Sequence, residues 1–181
     1  MEITINELIE KDKTFSESEF KSKVENQFMQ IFLAVTVGKI ERIDHFVNDE
    51  VYARLKAIVE DNAAKNVIHF YEEPNVSNIN ISRIIEEEDS FTIEANVLFK
   101  AYDYFASKGD LKFISGNKDY RTETVRRIFF KKMKSAREFG IQRKCPTCGN
   151  TMDTNYSGLC PYCKTVFDLE TYDWVITFLD I

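Results

Sequence analysis

The chain has little of what breaks or staples a fold. Six glycines and three prolines stand among 181 residues, too few for a collagen-like, mucin-like or loosely linked multidomain protein. Nowhere do some ~18 apolar residues run together, so no bilayer-spanning helix is expected. The first twenty residues, MEITINELIEKDKTFSESEF, lack the basic and apolar regions of a secretory signal, so a soluble, cytoplasmic protein is expected. Only two histidines (His45, His69) and one tryptophan (Trp174) occur. What is abundant is bulk: fifteen Phe and eight Tyr, 44% hydrophobic and 30% charged residues. A chain of this length buries roughly 70% of its unfolded surface and needs no disulfide framework. The net charge of −6 argues against a dedicated nucleic-acid binder, although a local basic patch overrides a global sign.

All four cysteines fall in one window, KCPTCGNTMDTNYSGLCPYCK. Cys145, Cys148, Cys160 and Cys163 form the pattern C-x2-C-x11-C-x2-C. Two residues between paired thiols let a tight knuckle offer both sulfurs to one tetrahedral ion, and two knuckles close the sphere. Pro146 and Pro161 stiffen the knuckles, and Gly149 stands where a positive φ is often wanted, whereas Lys164 takes that place in the second half. Four thiolates leave no open position, so one structural zinc is expected. Some 20 residues cannot build their own core, so the metal would supply the folding free energy. Two disulfides, a thioredoxin-type redox pair and a rubredoxin-like iron site are the competing readings. Lack of a secretion signal, the pair-of-pairs spacing and the short spacer respectively weigh against them.

Outside that window the apolar period is first helical and then strand-like. Phe20, Val24, Phe28 and Phe32, with Ile31 and Val35, predict a helix from Ser16 to about Thr36, with Ser16 and Glu19 as a capping box. A second helical stretch is expected after Gly38 on Ile40, Ile43 and Phe46, and a third from Asn48 or Asp49 on Val51, Leu55, Ile58 and Val59. Ile5, Leu8 and Ile9 suggest one short amphipathic turn more. After Pro74 the period becomes two: strands are predicted over 76–86, 91–105 and 121–133, with YDWVITFL as a fourth. Helices followed by long antiparallel strands give an α+β fold. The expected shape is a set of N-terminal helices on a curved, cone-like sheet with an apolar cavity at its open end.

The stretch FKSKVENQFMQIFLAVTVGKIERIDHFVNDEVYARL resembles the opening helices of the Tim-forty-four-like family, within the nuclear-transport-factor-two-like superfamily. RTETVRRIFFKK resembles its penultimate strand and YDWVITFL its closing strand, with Trp174 at the family's tryptophan position. Bacterial members often carry a zinc ribbon between those two strands. The resemblance covers residues 15 to 181. It implies residues 1–14 as an N-terminal extension, 15–143 and 165–181 as the helix-plus-sheet domain, and 144–164 as the ribbon. It also implies a non-enzymatic adaptor with a transport- or membrane-associated role, whose pocket takes a protein, peptide or lipid. The family has no agreed catalytic set to carry over.

Residues 126–144 hold eight Lys/Arg against one Glu, a local +7 that leaves −13 on the rest. Arg126, Arg127, Lys131, Lys132, Lys134, Arg137, Arg143 and Lys144 are therefore a candidate surface for anionic lipid at the inner face of the membrane, or for an acidic partner. A solvated strand face complemented by the acidic helices is the competing reading, and a nucleic-acid role led by ribbon and patch is an alternative. An enzyme is the other: Asp103, on the strand face of Phe99 and Phe105, would be a general base in an apolar pocket with neighbouring tyrosines. His45 and His69 read as ordinary packing or surface residues.

Overall fold

The computed structural model describes residues 1–134, 143–144, 148–152, 162–163 and 173–181. Three helices, α1 (Ile5–Lys11), α2 (Glu17–Val37) and α3 (Asp49–Ala64), precede the strands. Long strands β1 (Val67–Glu86), β2 (Ser90–Ser107) and β3 (Phe113–Met133) follow, then the short pair β4 (Arg143–Lys144) and β5 (Thr151–Met152), and last β6 (Val175–Leu179). The main sheet is antiparallel in the order β1-β2-β3-β6. This is the α+β arrangement that the two apolar periods predict.

Local chemistry sets the helix ends. The Thr4 hydroxyl accepts from Glu7 N–H while the Glu7 carboxylate accepts from Thr4 N–H, a complete capping box that starts α1. At Ser16 only half of the expected box forms: Ser16 Oγ accepts from Glu19 N–H. Gly38, at φ 68°, ends α2 with its N–H on Ala34 and Val35 carbonyls. Residues 40–46 do not form the expected second helix. Ile40–Arg42 makes a single 3-10 turn, yet Ile40, Ile43 and Phe46 are all buried. The segment is too short for repeated α-helical hydrogen bonds, and its three-residue spacing suits a tighter turn equally well.

The strands are longer than their alternation suggests. β1 begins at Val67, nine residues before the predicted start, and passes through Pro74 inside a register shift between Glu72 and Asn75, with Glu73 at φ 46°. Proline removes a ladder donor, and here it sits in an edge strand at a bulge, where that loss is tolerated. Residues 1–14, expected as an extension, are packed into the domain: Ile3 N–H bonds Ile84 carbonyl, Glu2 bridges Ile85, and Leu8 is fully buried.

The core lies between α2 and one face of the sheet. Ile93, Ala95, Val97, Phe99 and Ala101 alternate inward along β2. Phe28 and Phe32 of α2 meet Phe99 at 5.2 and 4.6 Å between ring centroids. Trp174, 6% exposed, packs edge-on against Phe15 and Phe20, as its place in a covered closing segment requires. β6 then returns beside β3, and Asn48 N–H bonds Ile176 carbonyl to tie it to the start of α3.

Candidate functional site: an apolar groove joined to a His–Asp pair

The outer face of α2 carries an apolar stripe that the sheet does not reach. Phe28, Ile31, Phe32 and Val35 point into the core, whereas Leu33 is 55% exposed and Met29 half-buried. Together with Phe32, Tyr71 and Pro74 they line an open groove of about 600 Å3 between α2 and β1, whose polar rim is Ser22, Glu25, Asn26, Gln30 and Thr36. Around Phe99 the helix-facing side of the sheet is filled by aromatic rings, so this opening flanks α2. The expected cavity would have lain at the open end of the curved sheet.

Tyr71 connects the groove to a chain of polar groups. Its ring stands edge-on to Phe32 at 4.5 Å and tilts over His69 at 4.2 Å. Its hydroxyl lies 3.2 Å from His69 Nδ1, and His69 Nε2 lies 2.7 Å from Asp103 Oδ1. Arg126 approaches the other Asp103 oxygen at 3.9 Å and bonds Thr124 through Nε. His69 also stacks on Phe105 at 4.0 Å. Antiparallel pairing makes this contact: Tyr71 lies opposite Asp103 and His69 opposite Phe105. Burial, then the Asp103 charge, pushes the Tyr71 phenol well above its ordinary value, with Arg126 opposing, so it remains a neutral hydroxyl.

The enzyme alternative placed Asp103 on this face, and there it stands, but it is not a lone carboxylate. It is held between an imidazole and a guanidinium. Sequence reasoning missed His69, Tyr71 and Arg126 as its neighbours. The signal was there, two polar rings at i and i+2 before Pro74, but it is readable only once β1 is known to begin at Val67.

The described members of the basic stretch are spread over several acidic partners. Arg127 meets Asp180 at 3.2 Å, Lys131 meets Glu87 at 3.7 Å, and Lys134 meets Glu86 at 2.9 Å. Lys132 bonds Asp12 at 2.7 Å and Thr14 at 2.9 Å. Arg126 points to the helix-facing side with Asp103. Arg137 lies outside the described residues, and Arg143 and Lys144 form β4.

Of the four candidate metal ligands, Cys148 is exposed and Cys163 half-buried, while Cys145 and Cys160 lie outside the described residues. Arg143 pairs with Met152 and Lys144 with Thr151. Gly149 has φ 70°, and none of the described residues comes within 4 Å of where a Cβ would stand. A positive-φ glycine directly after Cys148 fits four-thiolate metal binding.

The Tim44-like domain matches residues 2–139. The chain therefore belongs to the Tim44-like domain family. The matched range starts at residue 2, in keeping with the packing of α1, and ends before the cysteine window and β6. No curated protein matches the sequence. Among the described residues, no helix is long and apolar enough to cross a membrane.

Proposed function

We propose that this Tim44-like domain is a non-enzymatic adaptor, transport- or membrane-associated, that docks an apolar element of a protein or lipid ligand in the α2–β1 groove. The observation carrying this reading is Leu33, a leucine left 55% exposed in the last two turns of a helix whose other face is packed into the core. Exposed apolar side chains grouped in one concave, polar-rimmed opening mark binding surfaces. Family membership supports the same class of role, and the family is generally non-catalytic. In a fluorescence titration, 1-anilinonaphthalene-8-sulfonate should bind near one equivalent per chain. Leu33→Arg should weaken it roughly ten-fold, the order expected for losing one buried leucine contact. Unchanged affinity in the variant would remove the groove from consideration.

The ribbon completes the proposal as a structural element. Cys145, Cys148, Cys160 and Cys163 would hold one zinc, and the metal would supply the folding free energy of residues 144–164. Elemental analysis should find close to one zinc per chain. A red protein with iron–thiolate absorbance would overturn the choice of metal.

A further inference from the structure

We propose that the tip of the β2–β3 hairpin and the adjoining end of α2 dock on an anionic lipid bilayer, with Leu111, Phe113 and Ile114 seated among the lipid chains. This surface lies outside the groove and stands whether or not the groove takes a ligand.

Leu111 is the residue that sets the tip apart. Ser107 N–H bonds the Lys112 carbonyl and Leu111 N–H bonds the Ser107 carbonyl, so residues 108–111 make the turn. Leu111 holds φ 56°, the left-handed conformation that glycine takes without strain and a bulky side chain does not. A glycine is present in the same turn, but at position 109. The leucine is also 57% exposed. In water it is thus unfavourable twice, in backbone and in side chain. Burial against something outside the chain would offset both.

Phe113 and Ile114 widen the apolar tip, each at least half exposed. Phe105 pairs with Ser115 and Ala106 with Phe113, which leaves Ile114 as the extra residue of a bulge, a device that re-aims side chains. Tyr104 backs the Phe113 ring at 6.3 Å between centroids. The cleft beside the turn brings Lys108 to Val37 and Gly38 at the end of α2, and Val37 is exposed too. Both strands stay paired up to the turn, with Val67 opposite Ser107 and Ala106 opposite Phe113, so the turn projects as a convex knob. A knob offers no cleft for a partner's side chain, but it suits a fluid apolar layer.

Charge decides which layer. Lys39, Lys108 and Lys118 meet no carboxylate among the described residues, whereas Arg126, Arg127, Lys131, Lys132 and Lys134 all do. Asp110 is taken by Lys112 at 3.1 Å and Asp61 by Lys65 at 2.6 Å. Asp119, next to Lys118 in the chain, offsets one of the three free lysines. Free ammonium groups beside an apolar knob run against the sign of a chain of net charge −6. Lysine stems lie along apolar surface while their heads reach lipid phosphates. Lys131 stands towards the other end of β3, on the order of 50 Å along the strand, so a bilayer that holds the tip does not reach it.

A tryptophan placed at the tip reads its depth, because Trp174 is buried against Phe15 and Phe20. In Phe113→Trp, vesicles of equal phosphatidylglycerol and acyl-brominated phosphatidylcholine should shift the emission to the blue and quench it. Wild type should show neither effect, nor should Val125→Trp, whose reporter is exposed further along β3. No quenching at position 113, or equal quenching at position 125, would overturn the proposal. Brominated phosphatidylcholine alone should bind roughly ten-fold more weakly, and equal binding would overturn the anionic choice. A blue shift that appears without vesicles and grows with protein concentration would assign the tip to a second copy instead. Leu111→Gly in the Phe113→Trp background separates docking from folding. Glycine relieves the turn, so the urea midpoint should rise while vesicle affinity falls roughly three- to ten-fold. Unchanged affinity in that variant would overturn the part given to the leucine.

Discussion

Lys132 stands where three distant parts of the chain meet. Its ammonium bonds Asp12 and Thr14 and lies 5.9 Å from the centre of the Trp174 ring. Burial alone would raise the Asp12 carboxyl, but the hydrogen bonds from Lys132 and Thr14 outweigh it and hold it below its usual range. Removing the lysine leaves a half-buried carboxylate without its cation. Lys132→Ala should therefore cost about 1–3 kcal/mol in urea unfolding. A Lys132→Met, Asp12→Asn double variant should recover part of that loss, giving a measurable coupling energy. Glu86 answers a different question. Lys11 and Lys134, each hydrogen-bonded to it, lower its carboxyl from 4.5 to about 2. Its stabilisation is thus whole above pH 4.5. As the pH falls from there to about 2, the unfolded chain takes up a proton that the folded one refuses, and the contribution is lost. Acid unfolding of Glu86→Gln should lack this part of the pH dependence, and an identical profile would show that the pairs contribute nothing.

At the scale of elements, β3 bends at a place where only glycine fits. Gly116 pairs with Tyr104 at φ 98°, and a Cβ there would lie 2.5 Å from the Asp103 carbonyl oxygen and 2.6 Å from Tyr104 Cα. Both obstacles are backbone, so neither moves cheaply. Gly116→Ala should cost at least about 2 kcal/mol in chemical denaturation and shift the strand that presents Asp103. This bend also explains what the sequence concealed. Clean alternation made the middle of β2 legible from Phe91 to Ala101, and helical spacing did the same for α2 and α3. The outer halves of β1 and β3 were illegible because bulges at Glu72–Asn75 and Ala101–Asp103 break the period. The candidate site sits in that unread part. Asp103 was visible on a regular strand, and Arg126 on another, whereas His69 and Tyr71 lie beyond an interruption.

For the whole molecule, charge asymmetry is balanced within the chain. Arg126, Arg127, Lys131, Lys132 and Lys134 all meet carboxylates, and exposed pairs such as Arg127–Asp180 and Lys131–Glu87 contribute only about 0–1 kcal/mol. Such cations exchange partners at little cost, so we propose weak, salt-sensitive contact with anionic bilayers. Vesicles containing anionic lipid should sediment the protein in low salt, and Arg127→Glu with Lys131→Glu should reduce it. Lys132 is left intact because of its structural partners. Equal sedimentation with neutral vesicles would leave the stretch a solvated face.

β6 meets β3 only after the chain has left the sheet at Lys134 and come back at Asp173, whose carboxylate pairs with Lys23 of α2. Closing that excursion carries a chain-entropy cost that grows with the logarithm of its length. A metal that joins residues 145 and 163 removes roughly half of the free chain, and halving a loop is worth about 0.6 kcal/mol. Zinc would then act at a distance as a shortcut in the path of the chain. It would hasten the seating of Trp174 beneath Phe15 and Phe20 while adding little to the stability of the finished sheet. Refolding followed by tryptophan fluorescence should be slower in Cys145→Ser, with the unfolding rate nearly unchanged.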